Sequence, residues 1–388
     1  MGHRRGQLWV ALLYVGLVVG SGSGPVADAR PDGRLAVGPD GGAGSVTSQA
    51  VGTGTAAVSP ESSPTEAAPT ASPIASPNAN TKPGPEPTAK PVAAPTPQAT
   101  PKPAAPPTPL APPPPLSDCP ILPATNVWNR RVDGLPVAAN SATMVEAIGL
   151  SARLHPDFGS YGGYGIPYNI VGSATPRTTV RFQYASESDR VGYPIPAHPR
   201  IEGGSDRHIL MVDTNACRLY ELYAAVKTTS GWRAGSGATW DLRSNKLRPN
   251  GWTSADAAGL PILPGLVRYA EVARGAIPHA VRFTAPDTCD GHIYPARHDA
   301  GSGSCAVNPP MGLRVRLKAS VAIGGFGSQA RVLLTALKRY GMVLADNGSP
   351  WYVTGAPDPH WNDDALHALG QLTGDDFEVV NTSGFLNG

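Results

Sequence analysis

Residues 117–388 of this sequence predict a mainly β fold, an antiparallel β-sandwich or jelly roll with a few peripheral helices, and three observations carry that prediction. Short segments with period-two alternation or β-rich composition recur, Gly, Pro, Asn and Asp clusters separate most of them, and helical periodicity is scarce. Strands are expected over 178–184, 208–213, 219–226, 279–284, 313–319 and 342–345. Short helices are expected near 143–150 and 268–274. A clearer one spans 328–340, where Leu333, Leu337 and Tyr340 share one face and Gly341 ends the pattern. Another spans 362–372, with Asn362 as cap and Asp363 and Asp364 in the first turn, where the helix dipole favours them. Asn347-Gly348 is a strong hairpin signal, which makes 351–354 the return strand of 342–345.

The residues before this domain read differently. His3, Arg4 and Arg5 precede an apolar run from Leu8 to Val19 and the small-residue triplet Ala27-Asp28-Ala29, the order of an export signal. A helix needs about 20 apolar residues to cross a bilayer, and this run is shorter, so cleavage after Ala29 is expected in preference to a retained amino-terminal anchor. No later segment is apolar enough to span. From Arg30 to Leu116 there is no aromatic residue, Met, Cys or His, and a Pro/Ala/Thr/Ser/Gly chain of that kind cannot bury enough apolar surface to offset its ordering entropy. Residues 30–116 are therefore expected to be a disordered tether, extended where Pro is densest. These features place the protein outside the cell, secreted or tethered at the surface.

The domain carries 24 Lys plus Arg against 23 Asp plus Glu, and this near-neutral balance argues against a nucleic-acid partner. Its four cysteines are expected to form two disulfides, Cys289 with Cys305 across a polar Gly-rich loop and Cys119 with Cys217. No two of them have zinc-ligand spacing. The nucleophile-elbow, metalloprotease, phosphate-loop and dinucleotide motifs are all missing, and neither a metal nor a cofactor is expected.

Four strings, Asp206 to Asp213, Leu219 to Tyr223, Gly251 to Asp256 and Tyr340 to Gly348, resemble an uncharacterised family of secreted bacterial proteins. The resemblance covers nearly all of 117–388 and implies no activity, so function is read from residue chemistry.

The hairpin 206–226 is the most informative stretch. If Asp213 pairs with Arg218, Leu210 faces Glu221 and His208 faces Tyr223, so that His208, Glu221 and Tyr223 share a face with Leu210, Val212 and Leu219. Apolar neighbours destabilise a carboxylate's charged form and raise its pKa toward the range of a general acid, which makes Glu221 the leading candidate. The alternative is a structural Glu paired with Arg314 or Arg316. Asp256, which follows Trp252-Thr253-Ser254, is either the second carboxylate of a glycosidase pair or a first-turn helix residue. With His208 these form the expected catalytic set, and Tyr223, Trp252, Arg282 and His298 are expected to bind substrate. His279, beside Val281 and Phe283, reads as a core histidine. Loop aromatics such as Tyr161, Tyr164 and Trp252 suit pyranose rings. The expectation is a domain directed at a polysaccharide or cell-wall glycan, a glycoside hydrolase with a carboxylate pair; the alternatives are a non-catalytic binding or adhesion module and a structural envelope protein.

Limited proteolysis of the secreted protein is expected to clip residues 30–116 and leave a resistant fragment beginning close to Cys119. A resistant fragment retaining most of the tether would contradict this organisation.

Overall fold

The computed structural model of the protein describes Leu116 and residues 119–387, so the export signal and almost all of the tether lie outside the described residues. The fold is mainly β, and its strands form three sheets. The largest has six strands in the order β1 (His155–Asp157), β13 (Tyr352–Thr354), β10 (Val281–Ala285), β12 (Met342–Asn347), β11 (Arg314–Leu317) and β14 (Phe377–Val379). A second is ordered β2 (Tyr168–Val171), β5 (Ile209–Asp213), β6 (Arg218–Tyr223) and β9 (Ser236–Asp241). The third is ordered β4 (Gly192–Tyr193), β3 (Thr178–Phe182), β8 (Gly231–Ala234) and β7 (Val226–Thr228). Each sheet contains parallel pairings, β1 with β13 and β10 with β12, β2 with β5, and β3 with β8. The expectation of a mainly antiparallel sandwich or jelly roll is therefore corrected to three mixed sheets.

The four expected helices are present as α1 (Ser141–Gly149), α2 (Tyr269–Ala273), α3 (Ser328–Arg339) and α4 (Asp363–His367). In α4, Asn362 accepts a hydrogen bond from Ala365 N at 2.8 Å, which satisfies one of the donors a helix start leaves open. No helix among the described residues is long and apolar enough to cross a membrane.

The hairpin β5–β6 has the register read from sequence, with Asp213 opposite Arg218 and Leu210 opposite Glu221. The Asp213 carboxylate fixes it by accepting hydrogen bonds from Asn215 N at 3.1 Å and Ala216 N at 3.0 Å, the local side-chain turn that Asp favours. All five residues of β5 are buried because its sheet is covered on both faces. Leu210, Val212 and Leu219 enter the main core, whereas Ile209, Met211, Tyr220 and Leu222 meet Val180, Trp232 and Ala234 of the third sheet in a smaller one.

Two departures from the sequence reading shape the site. The segment 219–226 is two strands, because Ala224 takes φ 50° and turns the chain from the second sheet into the third. Opposite it, Gly235 alone separates β8 of the third sheet from β9 of the second. The antiparallel ribbon 218–241 thus bends between sheets at Ala224 and Gly235. Second, β12 and β13 do not form a hairpin, because β10 lies between them, parallel to β12 and antiparallel to β13. Asn347-Gly348 carries the chain over the end of β10, where Gly348 N donates to Ala285 O at 2.9 Å. Trp351, at φ 58°, starts the return, and its indole stacks 5.6 Å from Phe283 and 5.0 Å from Phe377 in the core.

The disulfides are those expected, Cys119–Cys217 and Cys289–Cys305, spanning 98 and 16 residues. By loop entropy their removal is expected to cost about 4.7 and about 3 kcal/mol respectively. Urea unfolding of the two double Cys→Ala variants checks the order, and a larger loss from the shorter loop would overturn it.

Candidate functional site

The bend in the ribbon 218–241 leaves a cleft of about 450 Å³ beside it. Tyr223 and Ser236 line it from the ribbon, Tyr184 and Glu187 from the segment after β3, Asp256 and its neighbours from loop 252–259, His298 from the loop after β10, and Asp346 from β12.

The residues expected to be catalytic converge beneath this cleft, but two of the three do not open into it. Glu221 has no exposed surface. Its carboxylate accepts hydrogen bonds from Leu263 N at 2.9 Å, from Ile262 N at 3.0 Å and from Trp240 Nε1 at 3.3 Å. Burial pushes its pKa from 4.5 to about 7, and these backbone donors only partly oppose the rise. The direction is the one expected, whereas the suggested arginine partners are not: Arg314 donates to the carbonyls of Tyr340, Val127 and Arg130, and Arg316 pairs with Glu378. His208 is also buried, bonded through Nδ1 to Glu202 and through Nε2 to Ala255 O at 2.8 Å. Burial works against its imidazolium, but the hydrogen bond and charge of Glu202 outweigh that and hold its pKa at about 9. With both nitrogens engaged it is a structural cation.

Asp256 borders the cleft but is held by Arg282, which donates from Nε to Oδ2 at 3.1 Å and from Nη2 to Oδ1 at 2.9 Å. Arg282, expected to bind substrate, is buried as well, with Nη1 donating to Thr354 Oγ1 at 2.7 Å. Its Nη2 also reaches Asp346 Oδ2 at 3.4 Å. Tyr223 and His298 do line the cleft; His298 bonds Ala257 O through Nδ1, and its Nε2 lies 3.8 Å from Glu187 Oε2. Trp252 is not among the lining residues and instead lies 5.5 Å from the Arg248 guanidinium. His279 is buried between Glu271, Arg268 and Ala280 O.

Asp346, which directly precedes the Asn347-Gly348 turn signal and is not a candidate from sequence, is the carboxyl that the structure adds to the site. Its side chain is 25% exposed, whereas that of Asp256 is 0% exposed. Burial, then the neighbouring Asp256, raises its pKa, and Arg282 opposes the rise. A bulge brings it there: the β10–β12 register shifts after Phe283, so Asp346 pairs with Thr284 and joins the face that carries Arg282. Glu187, also missed, accepts from Thr253 N at 3.1 Å and is 31% exposed.

The enclosed Glu221 has a measurable signature. A carboxyl that holds its proton more tightly when folded stabilises the fold most below its unfolded pKa, and the benefit is lost as pH rises toward its folded pKa. Between pH 4.5 and about 7 Glu221 should cost wild type on the order of 3 kcal/mol. Glu221→Gln carries no such proton, so the stability gap between wild type and variant should narrow or reverse from pH 4.5 to pH 8 in urea unfolding. The fall due to His208, between about 6.5 and about 9, is common to both proteins. A gap independent of pH would show that Glu221 does not titrate in this way.

No protein-family model, curated protein or solved structure matches this chain, and the reading of the cleft rests on its own residues.

Proposed function

We propose that the cleft is the working site of a secreted, glycan-directed domain, a glycoside hydrolase in which Asp346 is the proton donor. One observation carries the reading: Asp346 is a carboxyl of raised pKa that reaches the cleft, over a buried Asp256–Arg282 pair that fixes its surroundings. Tyr184 and Tyr223 offer flat apolar faces with polar edges, which suit pyranose rings. Asp346 gives its proton to the glycosidic oxygen as the bond to the anomeric carbon breaks, and the bonding electrons leave with that oxygen. Glu187 takes a proton from the water whose oxygen attacks the anomeric carbon, and exchange with solvent returns both carboxyls to their starting states. The export-type leader and the two disulfides support action outside the cell on a polysaccharide or cell-wall glycan.

The test is hydrolysis of a glycan panel by the secreted protein and by Asp346→Asn. The variant is expected to lose about 100-fold or more in kcat while still binding the glycan, and wild-type activity should fall as pH rises through the raised pKa of the acid. Undiminished hydrolysis by Asp346→Asn would remove Asp346 from the mechanism. Binding without cleavage by wild type would assign the cleft to recognition alone, the role of an adhesion module.

A further inference from the structure

A second groove, of about 550 Å³, lies on the third sheet at the other side of the ribbon's bend. The same three chain segments line both hollows in succession. Tyr184, Tyr223 and Ser236 face the cleft, and their chain neighbours Gln183, Ala224 and Gly235 line the groove. The segments are tied side by side at the crossing, where Tyr184 N donates to Gly235 O at 2.9 Å and Gly235 N to Tyr223 O at 2.8 Å. Adjacent residues of the same segments therefore line both hollows.

The groove's chemistry differs from that of the cleft. Arg181 and Arg233 occupy partnered positions on the neighbouring strands β3 and β8, about 5 Å apart along the sheet, and both are exposed and line the groove. Like charges at adjacent positions on one face repel. No carboxylate lines the groove to offset them. Among the described residues the Arg233 side chain makes no hydrogen bond or ion pair, and that of Arg181 makes one long contact, from Nη2 to Ser230 O at 3.4 Å. Two unneutralised guanidiniums, each with planar paired donors, form a receptor for an anionic substituent. Val226, opposite Arg233 in β7 and exposed, supplies apolar surface beside them.

We infer that the groove extends the cleft into a track for an anionic polysaccharide, with acidic substituents of the chain seated on Arg181 and Arg233. This rests on the glycan-directed reading of the cleft and names its substrate class as acidic. The contact to a charged group at an exposed site is screened by salt, so selectivity should be greatest at low ionic strength.

The experiment measures binding of the secreted protein to an oligomer of uronic acid residues and to the same oligomer methyl-esterified, which removes the charge and keeps the backbone. Wild type is expected to bind the acid form about tenfold more tightly at low salt, with the preference shrinking as salt is raised. Arg181→Gln with Arg233→Gln should abolish the preference without changing the melting temperature, since both side chains are exposed. The Lys versions of both should retain most of it. Equal binding of the two oligomers by wild type would overturn the anionic track and leave the glycan reading standing. Binding of neither would sink the glycan reading and this inference with it. A sulfated oligomer preferred over the uronic acid one would support the track and assign its anion to sulfate.

Discussion

The buried pair of Asp256 and Arg282 is the interaction on which the arrangement around the cleft depends. Withdrawing both charges from water costs several kcal/mol per ion, and only good geometry with fully used donors recovers it. Here the guanidinium spends its fork on one carboxylate and its remaining donors on Thr354 and Asp346. Those contacts join loop 252–259 to β10, β13 and β12, elements of the large sheet far apart in sequence. Neither ion can be removed alone without leaving the other buried and uncompensated.

This pair also explains why the pKa values of two carboxyls nearby are raised. Arg282 is matched by Asp256, and the His208 cation by Glu202, whose pKa is lowered by its hydrogen bond to His208 despite its burial. Buried charge is then already balanced. Glu221 and Asp346 are surplus carboxyls in the same region, and the pKa of each is pushed upward by burial and by the neighbouring Asp256. Their fates differ only in access. Glu221 points into the main core, where backbone donors hold it, and Asp346 reaches the cleft. Raised carboxyl pKa values follow from the electrostatics of the floor, and one of the two carboxyls borders the cleft.

Local readings were sound where local physics decides the structure. The β5–β6 register follows from the Asp213 turn, α4 from the Asn362 cap, and the disulfide pairs from two cysteines bracketing one loop and the two that remain. The raised pKa of Glu221 followed from apolar residues on either side of it in β6. What escaped was non-local. Nothing between Met342 and Thr354 reveals that β10, some 60 residues earlier, inserts between the two strands and turns an apparent hairpin into a crossover. Nor does the alternation of β12 reveal the bulge that moves Asp346 to the face of Arg282. The Trp252 motif advertised a sugar platform, whereas its indole packs with Arg248 and the rings at the cleft are tyrosines.

The bend of the ribbon 218–241 connects these local and non-local parts. A continuous antiparallel ribbon would leave one flat surface, and the change of sheet at Ala224 and Gly235 creates a corner with a hollow on each side. Ala224 adopts a left-handed backbone that costs an L-residue about 1 kcal/mol or more. Gly235 is needed for a different reason, because a Cβ there would lie 2.6 Å from Cδ1 of Tyr223. The Tyr223 ring therefore lies against the Gly235 backbone at the crossing, close to the His208 ring at 5.6 Å. A small residue on one strand and a left-handed one on the other thus fix an aromatic side chain where the two hollows meet.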